Sequence, residues 1–392
     1  MAGGLDQPSI LLLTRHYPPA VSGGARRPFL LAQGLRRAGA RVFVVAPQLP
    51  DGEEGLAVPR PQADPAVDAG PPRFDPRNLA RELLLWPDPD VRWSLRAARQ
   101  ALAAPPPWRP DWVLSTSPPE SIHMAGRQLA RGLASRWAMD FRDHWLVRPH
   151  RRERLNPLRR MGERLIATGL MRDADLVFGV DPEVVAELTR FGARDARVLP
   201  HLGPSAEAVA AATPTPLAAD RLHVVHTGSF SLSDPETRIE ELLTTFETAR
   251  AERPELHLHL AGRLSAREVA AIQAMVPPEA VTLHGVLRLE EALALQRAAD
   301  ALAFVGSSKT HVPPSKVIEY RAVGAPIVAI GSGPWRTPEL APWPEPLSVL
   351  RGLRRRTDPP RGQSVFDPDA AAAMLLGWMR EARAGRLDKH PG

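Results

Sequence analysis

Two successive α/β domains, each a Rossmann-like parallel sheet with helices on both faces, are what the sequence predicts. Short apolar runs alternate with longer stretches of helical periodicity. The runs are nearly continuous, as in strands buried on both faces. The pattern stops once near residue 200 and then restarts. The length, 392 residues, agrees with two domains of about 100–200 residues each.

In the first half, strands are expected at residues 10–14, 41–46, 112–116, 136–141, 176–179 and 197–199. Helices are expected at 24–38, 92–103, 121–134, 155–171 and 182–191; Phe29, Leu30, Leu31 and Leu35 show the helical spacing in the first of these. Residues 50–73, rich in Pro, Gly and acidic residues, read as a surface excursion. Residues 200–220 carry no strand pattern and read as an interdomain linker and hinge. In the second half, strands are expected at 222–227, 256–261, 281–284, 301–305 and 326–330, and helices at 237–252, 265–275, 289–299 and 316–323. A last helix is expected at 367–384. The expected domains are therefore 1–200 and 221–366, with 201–220 between them and 367–392 as a terminal helix.

Composition excludes several classes. Without cysteine there are no disulfides, thiolate zinc sites or cysteine nucleophile. The net charge is +6, and all basic residues but Lys309, Lys316 and Lys389 are arginine. This bias reflects base composition and is weak support for nucleic acid; none is expected as a partner. No apolar run approaches the roughly 20 residues of a membrane span, and the opening residues do not read as a signal peptide, so the cytoplasm is the expected location. No GxGxxG or Walker A motif occurs, against a dinucleotide oxidoreductase or a P-loop NTPase. No metal-ligand spacing is evident and no cofactor is expected.

Several motifs fall at expected strand ends, where open α/β sheets bind ligands. In VPPSKVIEYRAVG, Pro313 and Pro314 suit a helix start, and a helix N-terminus favours phosphate. Ser315, Lys316 and Glu319 then lie on the first turns, to hold a diphosphate and ribose hydroxyls, or simply as a solvated surface. Gly23 and Gly24 either admit a ligand to the backbone or make an ordinary tight loop. Gly228, Ser229 and Arg263 end two strands on the same sheet edge; Arg263 and Arg238 are candidates for a diphosphate, or plain surface arginines. His123 is a candidate for a sugar hydroxyl or proton transfer, or a core histidine. Asp140, Arg142 and Asp143 act on the acceptor side or form one ion-pair network shaping their loop. Basic residues 148–164, with Leu155, Leu158, Met161 and Leu165 at helical spacing, either touch an anionic membrane weakly or are solvated.

In this order the motifs resemble glycosyltransferase family 4-like enzymes. The blocks are ILLLTRHYPPAVSGGARRPFLLAQGLRRAGARVFVVAP, STSPPESIHMAG, SRWAMDFRDHW, VVHTGSFS, LHLAGR and PPSKVIEYRAVGAPIVAI. The STSPP–His and DFRDxW segments are similar to those of a bacterial subgroup. The resemblance implies a GT-B fold, two Rossmann-like domains facing across a cleft, with the terminal helix packing back onto the first. It implies a nucleotide-diphosphate-sugar donor on the second domain, with Gly23 and Gly24 near its phosphates, and a glycan, lipid-linked or small-molecule acceptor on the first. Glycosyl transfer with retention is the implied reaction, with His123, Lys316 and Arg263 in catalytic roles and Glu319 on the ribose. His311 stands where many members carry a first Glu, and His144 where the subgroup carries Pro. A sugar-nucleotide 2-epimerase of the same fold and a non-catalytic sugar-binding protein are the alternatives.

Overall fold

The structure, a computed structural model, describes residues 7–21, 23–60, 86–146, 157–232, 234–308, 314–356 and 367–387. The expectations for residues 61–73 and 148–156 and for Lys309, His311, Pro313 and Lys389 lie outside these. The chain divides into two units, Met1–Pro200 with Asp369–Gly392, and His201–Pro368.

In the first unit, β1 (Ser9–Thr14), β2 (Arg41–Ala46), β3 (Gly55–Ala57), β4 (Trp112–Ser117), β5 (Arg136–Phe141), β6 (Leu176–Gly179) and β7 (Ala196–Val198) form one sheet, ordered β3-β2-β1-β4-β5-β6-β7. Every pairing is parallel. All residues of β1 are buried, as its unbroken apolar run requires when both faces are covered. The helices are α1 (Gly23–Arg37), α2 (Val91–Ala103), α3 (Ser121–Gly132), α4 (Pro157–Asp173) and α5 (Pro182–Arg190). Asp181 caps α5 by accepting from the Val184 amide at 2.8 Å, with Pro182 following it as a helix starter.

In the second unit, β8 (Leu222–Thr227), β9 (Leu256–Ala261), β10 (Val281–Gly285), β11 (Ala301–Val305) and β12 (Ile327–Ile330) form a parallel sheet ordered β10-β9-β8-β11-β12. Side chains alternate between two cores: Val224 packs with Leu258 and Phe246 on one face, Val225 with Leu302 and Val317 on the other. The helices are α6 (Ala206–Ala211), α7 (Ile239–Arg250), α8 (Ala266–Met275), α9 (Leu289–Ala298), α10 (Ser315–Val323) and α11 (Pro346–Arg351).

Three elements differ from the sequence expectation. β3 falls in the stretch read as an excursion; its three residues are too few to show a period, and it exists because β2 offers an edge. The stretch read as a featureless linker holds α6, capped by Ser205, whose hydroxyl accepts from the Ala208 amide at 3.2 Å. α11 is capped by Glu345, which accepts from the Leu347 and Ser348 amides at 2.9 and 2.6 Å.

The last helix, α12 (Pro368–Leu387), lies with the first unit from Asp369 onward. Its Trp378 ring is 6.3 Å from Phe178 of β6, with the Arg197 guanidinium 5.4 Å above it. Arg197 also meets Glu381 at 2.6 Å, and Arg37 meets Asp369 at 2.7 Å. Strand order reverses beside β1 and β4 in one unit and beside β8 and β11 in the other. The carboxyl ends of those strands are where such sheets receive ligands.

Candidate functional site

In the second unit the candidate residues gather at the carboxyl ends of β8 and β9 and the start of α10. Gly228 follows β8 with φ +121° and gives its amide to Ala261 O at 2.5 Å; Gly262 follows β9 with φ +148° and gives its amide to Gly285 O at 2.6 Å. A Cβ on Gly262 would run into the Gly228 carbonyl, and one on Gly228 into the Lys316 ammonium. Gly262 therefore needs glycine for conformation and space and Gly228 for conformation, leaving bare backbone at this edge. The Lys316 Nζ, one residue into α10, donates to Thr227 O. Ser315 and Lys316 are half-buried at a helix start whose first N–H groups have no intrahelical acceptor.

Glu319 is 6 % exposed, and its Oε1 accepts from Gln296 Nε2. A solvated surface carboxylate does not describe it. Arg263 is exposed and makes no hydrogen bond or ion pair among the described residues, so its guanidinium is available to a ligand. Arg238 is exposed and donates to Pro235 O at 3.4 Å, with its charge also felt by Glu240. Ser229 is half-buried beside Gly228.

Sequence reasoning missed the loop's support. Glu268 takes the Ser231 amide and hydroxyl at 2.8 and 2.6 Å and the Ser265 amide at 2.7 Å. Burial raises its carboxyl, but these hydrogen bonds outweigh burial and hold it below the ordinary carboxylate range. The Ser265-x-x-Glu268 capping box was the available signal.

In the first unit the candidates separate. Gly24 and Arg142 come together: Arg142 Nη1 donates to Gly24 O at 2.6 Å and Nε to Ser117 O at 2.8 Å. A Cβ on Gly24 would sit 3.0 Å from the His16 ring, whereas one on Gly23 would meet nothing within 4 Å. Burial, then Arg142 and Arg15, push His16 down to about 4, so it is neutral here. Asp143 is exposed.

Asp140 corrects the expected network. Its partner is Arg27 of α1, not Arg142: Arg27 Nε reaches both carboxylate oxygens at 3.1 and 3.0 Å, and Nη2 reaches Oδ1 at 2.8 Å. Thr116 adds a 2.7 Å hydrogen bond, and Arg27 also holds Leu199 O and Pro200 O at 2.9 and 2.6 Å. Asp140 is 0 % exposed and Arg27 3 %, so the pair is buried structure beneath the site.

His123 is fully buried, and burial pushes it to about 3. Ser115 Oγ accepts from Trp137 Nε1 at 3.0 Å and lies 2.8 Å from His123 Nδ1, nearer than the 3.4 Å to Ala138 O. Ser115 thus joins the His123 ring, the Trp137 indole and the Ala138 carbonyl in one buried cluster around a neutral imidazole. In this arrangement His123 is a core histidine packed 4.4 Å from the Phe141 ring. His144 Nδ1 sits 2.6 Å from Glu187 Oε2, and Glu187 Oε1 takes the Leu146 amide at 2.8 Å. Burial lowers His144, but Glu187 outweighs it and the net shift is upward. At the place of the subgroup's proline, this chain ties its loop to α5 instead.

Residues 22–203 match the family model described as "Glycosyl transferase 4-like domain". No protein of curated function matches the chain. Among solved structures, a sucrose-phosphate synthase from Thermosynechococcus elongatus matches with TM-score 0.59 and 18 % identity, over 97 % of this chain and 100 % of that one. A protein from Listeria monocytogenes assigned as a UDP-N-acetylglucosamine 2-epimerase matches with TM-score 0.57 and 12 % identity, over 97 % of each chain. A UDP-forming α,α-trehalose-phosphate synthase from Burkholderia vietnamiensis matches with TM-score 0.54 and 14 % identity, over 98 % of this chain and 100 % of that one. Two parallel-sheet domains of this kind make a GT-B fold, and residues 22–203, in the first of them, are similar to a glycosyl transferase 4-like domain.

Proposed function

We propose that this glycosyltransferase moves a sugar from a nucleotide-diphosphate donor to an acceptor hydroxyl, with the donor on the second unit. One observation carries the reading: on the first turns of α10, Lys316 meets the backbone of Thr227 and Gly228 at the strand-order reversal, and Glu319, one turn on, is tied through Gln296 to the Thr227 side chain. In the reaction the acceptor oxygen bonds to the anomeric carbon and passes its proton to the departing diphosphate, while the bond from that carbon to the diphosphate oxygen breaks. Charge builds on the departing diphosphate. Lys316, Arg263 and the α10 N-terminus supply positive potential for it. Glu319 accepts from the ribose hydroxyls. Retention of anomeric configuration belongs to the same reading.

The match to a glycosyl transferase 4-like domain and the likeness to two sugar-phosphate synthases support transfer. The epimerase likeness gives the second reading: such an enzyme converts donor alone, whereas a transferase needs an acceptor. Calorimetry with UDP-, GDP- and TDP-sugars, followed by turnover of the one that binds, tests this. Glu319→Ala and Lys316→Ala should each lower donor affinity or turnover about 10- to 100-fold, with EDTA present. Wild-type kinetics in both variants would remove the donor site.

A peripheral membrane location is the further part of this reading. No helix of the described residues is long and apolar enough to cross a membrane. On α4, however, Met161 and Leu165 are 58 % and 67 % exposed, one turn apart, beside exposed Arg160 and Arg164. Such a face suits anionic lipid on the cytoplasmic side, where a lipid-linked glycan would be presented as acceptor. The protein should float with anionic vesicles at low salt and be released at high salt. Full retention in the soluble fraction at low salt would sink the idea.

A further inference from the structure

Thr227, the last residue of β8, is bonded through all three of its polar groups. Its amide donates to Tyr320 Oη at 3.0 Å, its hydroxyl accepts from Gln296 Nε2 at 2.7 Å, and its carbonyl accepts from Lys316 Nζ. Gln296, on α9, is 0 % exposed. The same amide nitrogen donates to Glu319 Oε1, so its two hydrogens go to two oxygens on two different elements. A carboxylate accepts only, which sets the orientation of the amide: the nitrogen faces Glu319.

That orientation leaves Gln296 Oε1 buried with no hydrogen-bond partner among the described residues. A buried acceptor without a donor is destabilising, and a leucine or methionine would fill this place beside Leu293 and Leu295 without that penalty. The amide is thus present at a cost, and what it does is done by its nitrogen. Nothing in the helical periodicity of α9 requires a polar group here.

We propose that Gln296 is a positioning residue of the donor site. By bridging Thr227 and Glu319 it holds the Glu319 carboxylate at the angle that meets the ribose hydroxyls. Because Thr227 also anchors Lys316, the carboxylate and the ammonium are set by one strand end and act as a unit. This rests on the donor-site reading above. It adds that Glu319 depends on a residue on a different helix, 23 positions earlier in the chain.

The test is a double-mutant cycle on the full chain, read by calorimetry with UDP and GDP and with their 2′,3′-dideoxy counterparts. Gln296→Met should weaken the preferred ribonucleotide roughly tenfold and leave its dideoxy form unchanged, because only the hydroxyls report on Glu319. In a Glu319→Ala background, Gln296→Met should cause no further loss. Equal weakening of both nucleotides, or full additivity with Glu319→Ala, would show a general packing defect and overturn the proposal. So would wild-type ribose discrimination in Gln296→Met while Glu319→Ala loses it. If Glu319→Ala itself keeps full discrimination, the donor-site reading fails, and this inference with it. Thr227→Val keeps the volume and removes only the hydroxyl, and it provides the same readout if Gln296→Met does not fold.

Discussion

Acidification from pH 7.5 to pH 5 should remove most of the folding stability, chiefly through buried neutral histidines. His123 and His226 are driven to about 3 mainly by burial, as is His259; His257 and His16 are driven to about 4, and His223 and His284 are also lowered. Three of these form a directed chain across the second sheet. His223 Nε2 lies 2.9 Å from Ala218 O, an acceptor only, so it carries a hydrogen. Its Nδ1 must then accept from His259 Nε2 at 2.9 Å, and His259 Nδ1 from His284 Nε2 at 2.9 Å. A second proton on His223 or His259 would set hydrogen against hydrogen.

The folded pKa values lie below the ordinary 6.5, so the unfolded chain binds more protons. Stability from these groups is complete above about 6.5 and is lost as pH falls toward their folded values. Each fully buried histidine contributes a slope of about 1.4 kcal/mol per pH unit in that window. Three of them with values near 3, His123, His226 and His259, are at most 4 % exposed. By pH 5 they alone would remove on the order of 6 kcal/mol, comparable with a typical total of about 5–15 kcal/mol. His144, raised by Glu187, and Asp88, raised to about 6 by burial and Glu120, oppose this because the folded state holds their protons more tightly. Urea unfolding at pH 7.5, 6.5, 5.5 and 5.0 measures the slope. A flat profile would show that these histidines are not held neutral.

Asp140→Ala should cost about 3–5 kcal/mol, because it strands the Arg27 guanidinium in a dry place. Thr116 loses its acceptor as well, and the hold of Arg27 on Leu199 and Pro200, where the chain leaves the first unit, is disturbed. The double variant Arg27→Met, Asp140→Leu should recover part of the loss, since two apolar side chains leave no buried charge. Denaturant midpoints of the two variants and wild type check this. If Asp140→Ala unfolds within 1 kcal/mol of wild type, roughly the size of a surface ion pair, the pair is not buried as described.

The sequence by itself determined that there are two parallel-sheet units, where most of their strands and helices lie, and which short segments stand at strand ends. These are properties of neighbouring residues: an unbroken apolar run such as Ile10–Leu13, a Thr227-Gly228 strand end, a proline before Ser315. Partners were decided only by the tertiary structure. Arg142 stands two residues from Asp140, yet Asp140 is met by Arg27 from 113 residues away, because β1 and β5 flank β4 as parallel strands and α1 follows β1 at the end of the sheet where Asp140 lies. Glu319 shares a helix face with Ser315 in the sequence pattern, but it is turned inward to Gln296. His123, a candidate for proton transfer, is enclosed by Ser115, Trp137 and Phe141 from two strands. β3 and α6 had too few residues for a period to show. Periodicity reports which face of an element is buried; what lies against that face depends on strand order and register, which no local stretch of chain encodes.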